Sequence, residues 1–163
     1  MNIPLQRKVI LPLATLVGAG ALAVATGVLS SDASAVSDGV RLTADQSGGA
    51  ALVVTALEPG DSATRTVTIE NTTGAPGRLT FTEQGGPATF ADGELQVRIE
   101  RDGQALYDGV FGAMGDYTQD MGFLEAGQSA TFAFTVSLPD DAPFVPAGTQ
   151  TAEASYAWLT ESQ

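Results

Sequence analysis

The chain has 163 residues, a mass of 16.6 kDa, 19 acidic side chains against 7 basic ones, and neither Cys nor His. This length corresponds to one domain with one modest core. The missing Cys and His exclude disulfides, zinc sites built on thiolate or imidazole, and Ser-His-Asp or Cys-His catalysis. With a net charge of −12, nucleic acid is a poor partner. A non-catalytic structural or binding protein is therefore favoured over an enzyme.

Residues 1–35 have the organisation of an export signal. Two basic residues, Arg7 and Lys8, precede an apolar stretch from Val9 to Leu29, and small residues stand at Ala33 and Ala35. A signal peptidase reads small residues at these positions, so we expect cleavage after Ala35 and a protein secreted to the extracellular space or cell surface, without membrane contact after cleavage. The alternative is an uncleaved anchor, because the stretch is nearly long enough to span a bilayer. Cleavage removes two basic residues and one acidic residue, which changes the net charge from −12 to −13.

The rest of the chain has the two-residue period of β-strands. Apolar residues alternate with small or hydroxylated ones, which predicts strands with one buried face. Asp102-Gly103 predicts a two-residue hairpin turn, and the Gly-rich stretch 108–122 is expected to hold a short helical turn or a mobile loop. The pattern predicts an antiparallel all-β sandwich of about seven to eight strands over residues 46–163, after an N-terminal segment 36–45. In chain order the predicted strands are Val40–Ala44, Ala51–Thr55, Thr66–Glu70, Leu79–Thr82, Leu95–Glu100, Gln104–Tyr107, Thr131–Leu138 and Thr151–Leu159.

One turn occurs twice. The segment Leu57–Thr64 reappears 67 residues later as Leu124–Thr131, and each copy leads into a predicted strand. Gly in such a turn supplies a positive φ angle, and the preceding Leu closes the end of the core. Two equivalent edge turns leading into neighbouring strands are favoured over a duplicated ligand site.

The order of these features resembles the TasA/camelysin family of secreted bacterial matrix proteins. The likeness spans most of residues 37–159 and rests on Leu57–Asp61, Arg65–Asn71, Leu95–Ile99, Leu106–Gly109, Leu124–Ser129, Gly148–Gln150 and Tyr156–Trp158. The resemblance implies a jelly-roll fold and assembly into extracellular fibres, in which one subunit lends a strand to the next. Some members are described as metalloproteases, but this chain has no His and no HExxH motif, so that activity is not carried over.

The N-terminal segment 36–45 is the candidate donor strand. Val36, Val40, Leu42 and Ala44 fall on one face of a predicted strand that begins at the cleavage point. Such a strand could fill the edge of the next subunit, with these four residues mediating polymerisation. The alternative is an ordinary first strand of its own domain.

Other candidate sites have simpler structural interpretations. Oxygen ligands for Ca²⁺ could come from loop aspartates, but their spacing does not match an EF-hand. Asp92 with Glu94 could form a carboxylate pair for glycoside hydrolysis, although both fall in a turn. Tyr156 and Trp158 could stack against a sugar, but a lone Trp in a sandwich is more often part of the core, as we expect for Phe81, Phe132, Phe134 and Leu138. The aspartates considered are Asp102, Asp108, Asp116, Asp120, Asp140 and Asp141.

Taken together, the sequence predicts a secreted structural subunit that forms filaments or biofilm matrix fibres by head-to-tail donor-strand exchange. Its partners are other copies of itself, with other matrix or cell-surface components as further candidates, and no catalytic residue, metal or cofactor is predicted. The alternative is a monomeric extracellular binding module that recognises carbohydrate or a surface protein through the loops of the sandwich.

Overall fold

The computed structural model of the chain describes residues 22–27, 39–45 and 48–162, with the backbone alone for residues 22–27 and 162. Within these ranges the chain forms ten strands and one 3₁₀ turn, Phe90–Gly93. The strands are β1 Leu22–Gly27, β2 Val40–Ala44, β3 Gly49–Val54, β4 Ser62–Asn71, β5 Gly77–Gln84, β6 Gln96–Arg101, β7 Gln104–Val110, β8 Gln119–Leu124, β9 Ser129–Ser137 and β10 Ala152–Ser162.

The strands form two five-stranded antiparallel sheets. Sheet A has the order β1-β4-β9-β6-β7, and sheet B has the order β2-β3-β10-β5-β8. Strands β3 to β10 have jelly-roll connectivity, in which eight strands form two packed sheets. The predicted antiparallel sandwich is therefore confirmed. Strands β1 and β2 extend the two sheets beyond these eight strands.

Five aromatic rings fill the space between the sheets. Phe132 and Phe134 of β9 and Phe81 of β5 are fully buried, and Tyr156 and Trp158 of β10 are 2% and 1% exposed. Ring centroids in this cluster lie 4.6–6.4 Å apart, mostly in tilted or edge arrangements, with Phe81 stacked on Tyr156. Such pairs add to the roughly 1.5–3 kcal/mol that burial of each large apolar side chain contributes. The prediction that these aromatic residues form the core is confirmed.

The Gly-rich stretch 108–122 matches its prediction only in part. It contains the end of β7, a loop over residues 111–118 and the beginning of β8, with no helical turn. Strand β8 was missed because its side chains do not alternate cleanly between buried and exposed positions, and because its pairing with β5 shifts register between Arg78 and Thr80. Gly122, at φ 76°, further interrupts the pattern.

Two turn predictions are confirmed. Asp102 and Gly103 join β6 to β7 with φ angles of 49° and 83°, as a two-residue turn of the I′ type requires. The repeated turns precede β4 and β9, which pair with each other. In the first turn Gly60 N–H donates to Leu138 at the end of β9, and in the second Gly127 N–H donates to Asn71 at the end of β4, both at 2.8 Å. The two copies of the repeat are therefore equivalent turns that lead into neighbouring strands.

Candidate functional site

The predicted donor strand lies in its own domain in the single chain. Residues 40–44 form β2 at the edge of sheet B, antiparallel to β3, with Val40 opposite Val54 and Leu42 opposite Leu52. Val40 is 2% exposed and Leu42 is 9% exposed, so both fill the core of their own sandwich, whereas Ala44 is only partly buried. The structure thus shows the intramolecular alternative for these residues. Val36 lies outside the described residues.

Contacts from both sheets hold β2 in place. Arg65 of β4 is buried among the core residues, and its Nε donates to the carbonyl of Val40 at 2.9 Å, which connects sheet A to the edge strand of sheet B. Just before β2, the carbonyl of Gly39 accepts from Thr55 N–H at 2.7 Å. A Cβ at Gly39 would lie 2.1 Å from the carbonyl oxygen of Ala56, so only glycine fits there. At the other end, Asp45 Oδ1 accepts from Gly49 N–H and closes the hairpin to β3.

A second N-terminal strand occupies the same side of the sandwich. Strand β1 pairs antiparallel with β4, from Leu22 opposite Asn71 to Gly27 opposite Thr66. These six residues belong to the apolar stretch that the sequence predicts to be removed with the export signal. This pairing was not predicted, because residues 22–27 contain no alternation of polar and apolar side chains. In the full chain, β1 therefore covers the outer edge of β4.

Three of the aspartates expected in loops form local contacts, and two of them, Asp108 and Asp120, lie in β7 and β8. Asp120 forms an ion pair with Arg78, and this contact together with the N–H of Gly122 lowers the pKa of its carboxyl from 3.8 to about 2. Asp108 pairs with Arg98 at 3.2 Å, and Asp102 accepts from the backbone N–H of Thr131. Across the described ranges, no three acidic residues are grouped as a metal site would require. Asp92 and Glu94 lie exposed at the 3₁₀ turn, and Asp116, Asp140 and Asp141 lie in loops.

One buried carboxylate, that of Glu83, was not predicted from the sequence. Glu83 of β5 is 1% exposed, and its Oε1 accepts from the backbone N–H of Met114 at 2.8 Å. Its Oε2 and the hydroxyl of Tyr156, directly opposite on β10, have no partner of normal hydrogen-bond geometry among the described residues. Burial raises the pKa of the Tyr156 phenol far above its ordinary value of 10.0, and the Glu83 charge raises it further. Extending the alternation of Leu79 and Phe81 by two residues would have placed Glu83 inside.

Four loops meet at one end of the sandwich. Gly148 N–H donates to Thr55, which joins the β9–β10 loop to the β3–β4 loop, and Ala91 N–H donates to Gln150 of the β9–β10 loop. Backbone hydrogen bonds also join the β5–β6 loop to the β7–β8 loop. Two aromatic side chains in these loops point into solvent: Tyr117 is 61% exposed and Phe144 is 65% exposed. This loop end, rather than the buried Tyr156 and Trp158, presents aromatic surface.

Comparison with known proteins gives no family. No protein family matches the sequence, and no curated protein matches it either. Among solved structures, the chain is similar to a secreted serine protease, VesC, from Vibrio cholerae (10% identity, 68% of this chain and 21% of that chain, TM-score 0.31). It is also similar to the enzymatically active domain of tailspike protein 4 of bacteriophage CBA120 (14% identity, 86% and 19%, TM-score 0.35). The chain spans about a fifth of each of these structures.

The described part of the chain contains no helix that is both long enough and apolar enough to cross a membrane.

Proposed function

We propose that the chain is a secreted structural subunit that assembles head to tail into extracellular filaments, by exchange of the N-terminal segment 36–45 between copies. The observation that supports this most is the position of β2: it is a short edge strand next to the predicted cleavage point, and two of its side chains fill the core. A strand with these properties can pair with β3 of its own copy or of the next one with the same contacts.

Exchange would recreate each contact in the neighbouring copy. Val40 and Leu42 of the donor would fill the acceptor core opposite Val54 and Leu52, and Arg65 of the acceptor would donate to the carbonyl of the incoming Val40. The hinge would be the hairpin that Asp45 closes. Because donor and acceptor lie on the same polypeptide, the contact is heterologous and can propagate without closing. The assembly needs no cofactor.

Disulfide trapping tests the exchange, because the chain has no Cys. Thr43 and Ala51 are register partners in β2 and β3, and both lie away from the core. In filaments of the Thr43→Cys, Ala51→Cys variant, oxidation should link successive copies and give a ladder of covalent multimers on non-reducing gels. The matched control is Thr64→Cys with Thr135→Cys, register partners in β4 and β9 that should link only within one copy.

The experiment distinguishes failure of the exchange mechanism from failure of the proposed filament function. If filaments form but the Thr43–Ala51 pair links only within single copies, assembly does not use exchange of β2. If electron microscopy shows no filaments at any salt concentration, the structural function itself is wrong. A peptide of residues 36–45 should bind a chain that lacks them and fill the positions of Val40 and Leu42.

The loop end supports a second candidate, a monomeric module that binds carbohydrate or a surface protein. Exposed Tyr117 and Phe144 lie in two of the four loops that meet there, and aromatic side chains are common anchors at binding surfaces. Substitution of both by Ser should abolish binding to polysaccharide or cell-surface preparations and leave the melting temperature unchanged. Unchanged retention of the substituted chain on those surfaces would reject this function.

A further inference from the structure

The outer edge of β4 is the longest strand edge on the described sandwich once β1 is removed. Strand β4 has ten residues and pairs with β9 without a register shift. It contains neither Pro nor Gly, and Glu70 is the one charged residue among its outward-facing side chains, since Arg65 is buried. Long, regular and weakly charged edges are the ones that pair with another chain.

The other edges of the two sheets carry the features that discourage such pairing. Strand β7 has a register shift against β6 and carries Asp108, and β8 has a register shift against β5 and contains Gly122. Strand β2 has only five residues and exposes Arg41. Bulges, charges and short length all protect an edge from pairing. The β4 edge has a single outward-facing charge, Glu70, with neither a register shift nor a short length, and it is covered by β1 instead.

We propose that removal of the leader converts the outer edge of β4 into a pairing site for β4 of a second copy. The inference rests on the predicted removal of residues 1–35 and holds whether or not filaments form. Strand β1 shows that this edge accepts an antiparallel strand over at least six residues, from Thr66 to Asn71. A second β4 could take its place and join the two A sheets through continuous backbone hydrogen bonds.

The sequence of β4 suits antiparallel pairing with itself. Core-facing residues must lie opposite core-facing residues, because neighbouring strands share the same pleat. A pairing centred on Val67 meets this requirement and puts Thr66 opposite Thr68, and Glu70 opposite Thr64. No like charges then face each other directly. The net charge of each processed copy still opposes association, so added salt should favour the dimer.

The experiment compares three proteins by sedimentation: the full chain, the processed chain that starts at Val36, and a full chain carrying Val24→Pro. Proline fixes φ at about −65°, far from the roughly −140° of an antiparallel strand, so Val24→Pro should release β1 without truncation. We expect the full chain to remain monomeric. The processed chain and the Val24→Pro chain should both show a doubling of mass that strengthens with salt. In a full chain carrying Ala25→Cys and Thr68→Cys, which are register partners, a disulfide should hold β1 on β4. This chain should stay monomeric until the disulfide is reduced and the leader is removed by proteolysis.

Cross-linking locates the contact. Processed chains carrying Thr66→Cys and Thr68→Cys separately should form mixed disulfide dimers when combined. The control is a mixture of processed chains carrying Gln104→Cys and Ala105→Cys at the edge of β7, which should form no disulfide-linked dimer. The proposal is overturned if the processed and Val24→Pro chains both stay monomeric, or if dimers form without the mixed Thr66–Thr68 link. Dimers without filaments would leave this inference intact and reject the filament function.

Discussion

A carboxylate buried without a full set of hydrogen bonds reduces stability, and Glu83 is such a group. Its Oε2 and the opposite hydroxyl of Tyr156 both lack a partner of normal geometry among the described residues, while its Oε1 accepts from Met114 N–H. In Glu83→Gln, the amide oxygen can keep the bond to Met114, and the amide NH₂ can donate to the Tyr156 oxygen. One substitution would therefore pair two buried polar atoms that lack a partner of normal geometry.

The expected gain follows from the cost of an unsatisfied buried polar group, about 1–3 kcal/mol in the free energy of unfolding. For a domain of this size, about 1 kcal/mol corresponds to roughly 4 °C in melting temperature. Glu83→Gln should therefore melt roughly 4–12 °C above the parent at neutral pH, by calorimetry or by urea unfolding.

The matched control is Glu153→Gln, which removes an exposed carboxylate on β10 and should leave the melting temperature unchanged. A Glu83→Gln chain that melts below the parent would refute the reasoning. Its carboxylate would then be stabilised by its surroundings rather than stranded in them.

Four further outcomes are expected. Gly103→Ala should cost about 1 kcal/mol in urea unfolding, because Gly103 has a φ angle of 83°, whereas Gly74→Ala should change stability little because open space surrounds it. The raised pKa of Tyr156 contributes stability that is complete below pH 10.0 and is lost as pH rises further, so Tyr156→Phe should weaken the alkaline dependence of unfolding followed by circular dichroism. The lowered pKa of Asp120 contributes stability above pH 3.8 that is lost as pH falls through about 2, and Arg78→Ala should return this pKa towards 3.8 in an NMR titration. The rate of filament assembly, followed by turbidity, should increase with salt concentration and as pH falls towards 4, because both reduce the repulsion between acidic copies. Assembly rates that depend on neither condition would contradict this electrostatic repulsion.

Alternation predicted the sandwich because one buried face per strand leaves a clear two-residue period, as in β9. It failed at β8, where exposure does not alternate and the pairing with β5 shifts register. The hairpin at Asp102-Gly103 was predictable because positive φ angles at both positions leave few residue choices.

The candidate site was predicted only in part. The alternation of Val40 and Leu42 correctly identified their buried face, but a sequence pattern cannot state whether the core they fill belongs to the same copy or to another. The pairing of β1 with β4 was not predictable either, because apolar residues that suit an export signal also suit an edge strand.

The repeated turns have a consequence for how the chain reaches its native state. Each turn closes the end of the strand opposite: Leu138 N–H donates to Asp61, and Asn71 N–H donates to Gln128, both at 3.0 Å. A one-residue slip between β4 and β9 would break the hydrogen bonds of both turns at once and turn Phe132 and Phe134 towards solvent. Strands β4 and β9, which are distant in sequence, therefore have their register fixed at both ends. Because β4 and β9 are distant in sequence, their pairing is expected to make folding slow.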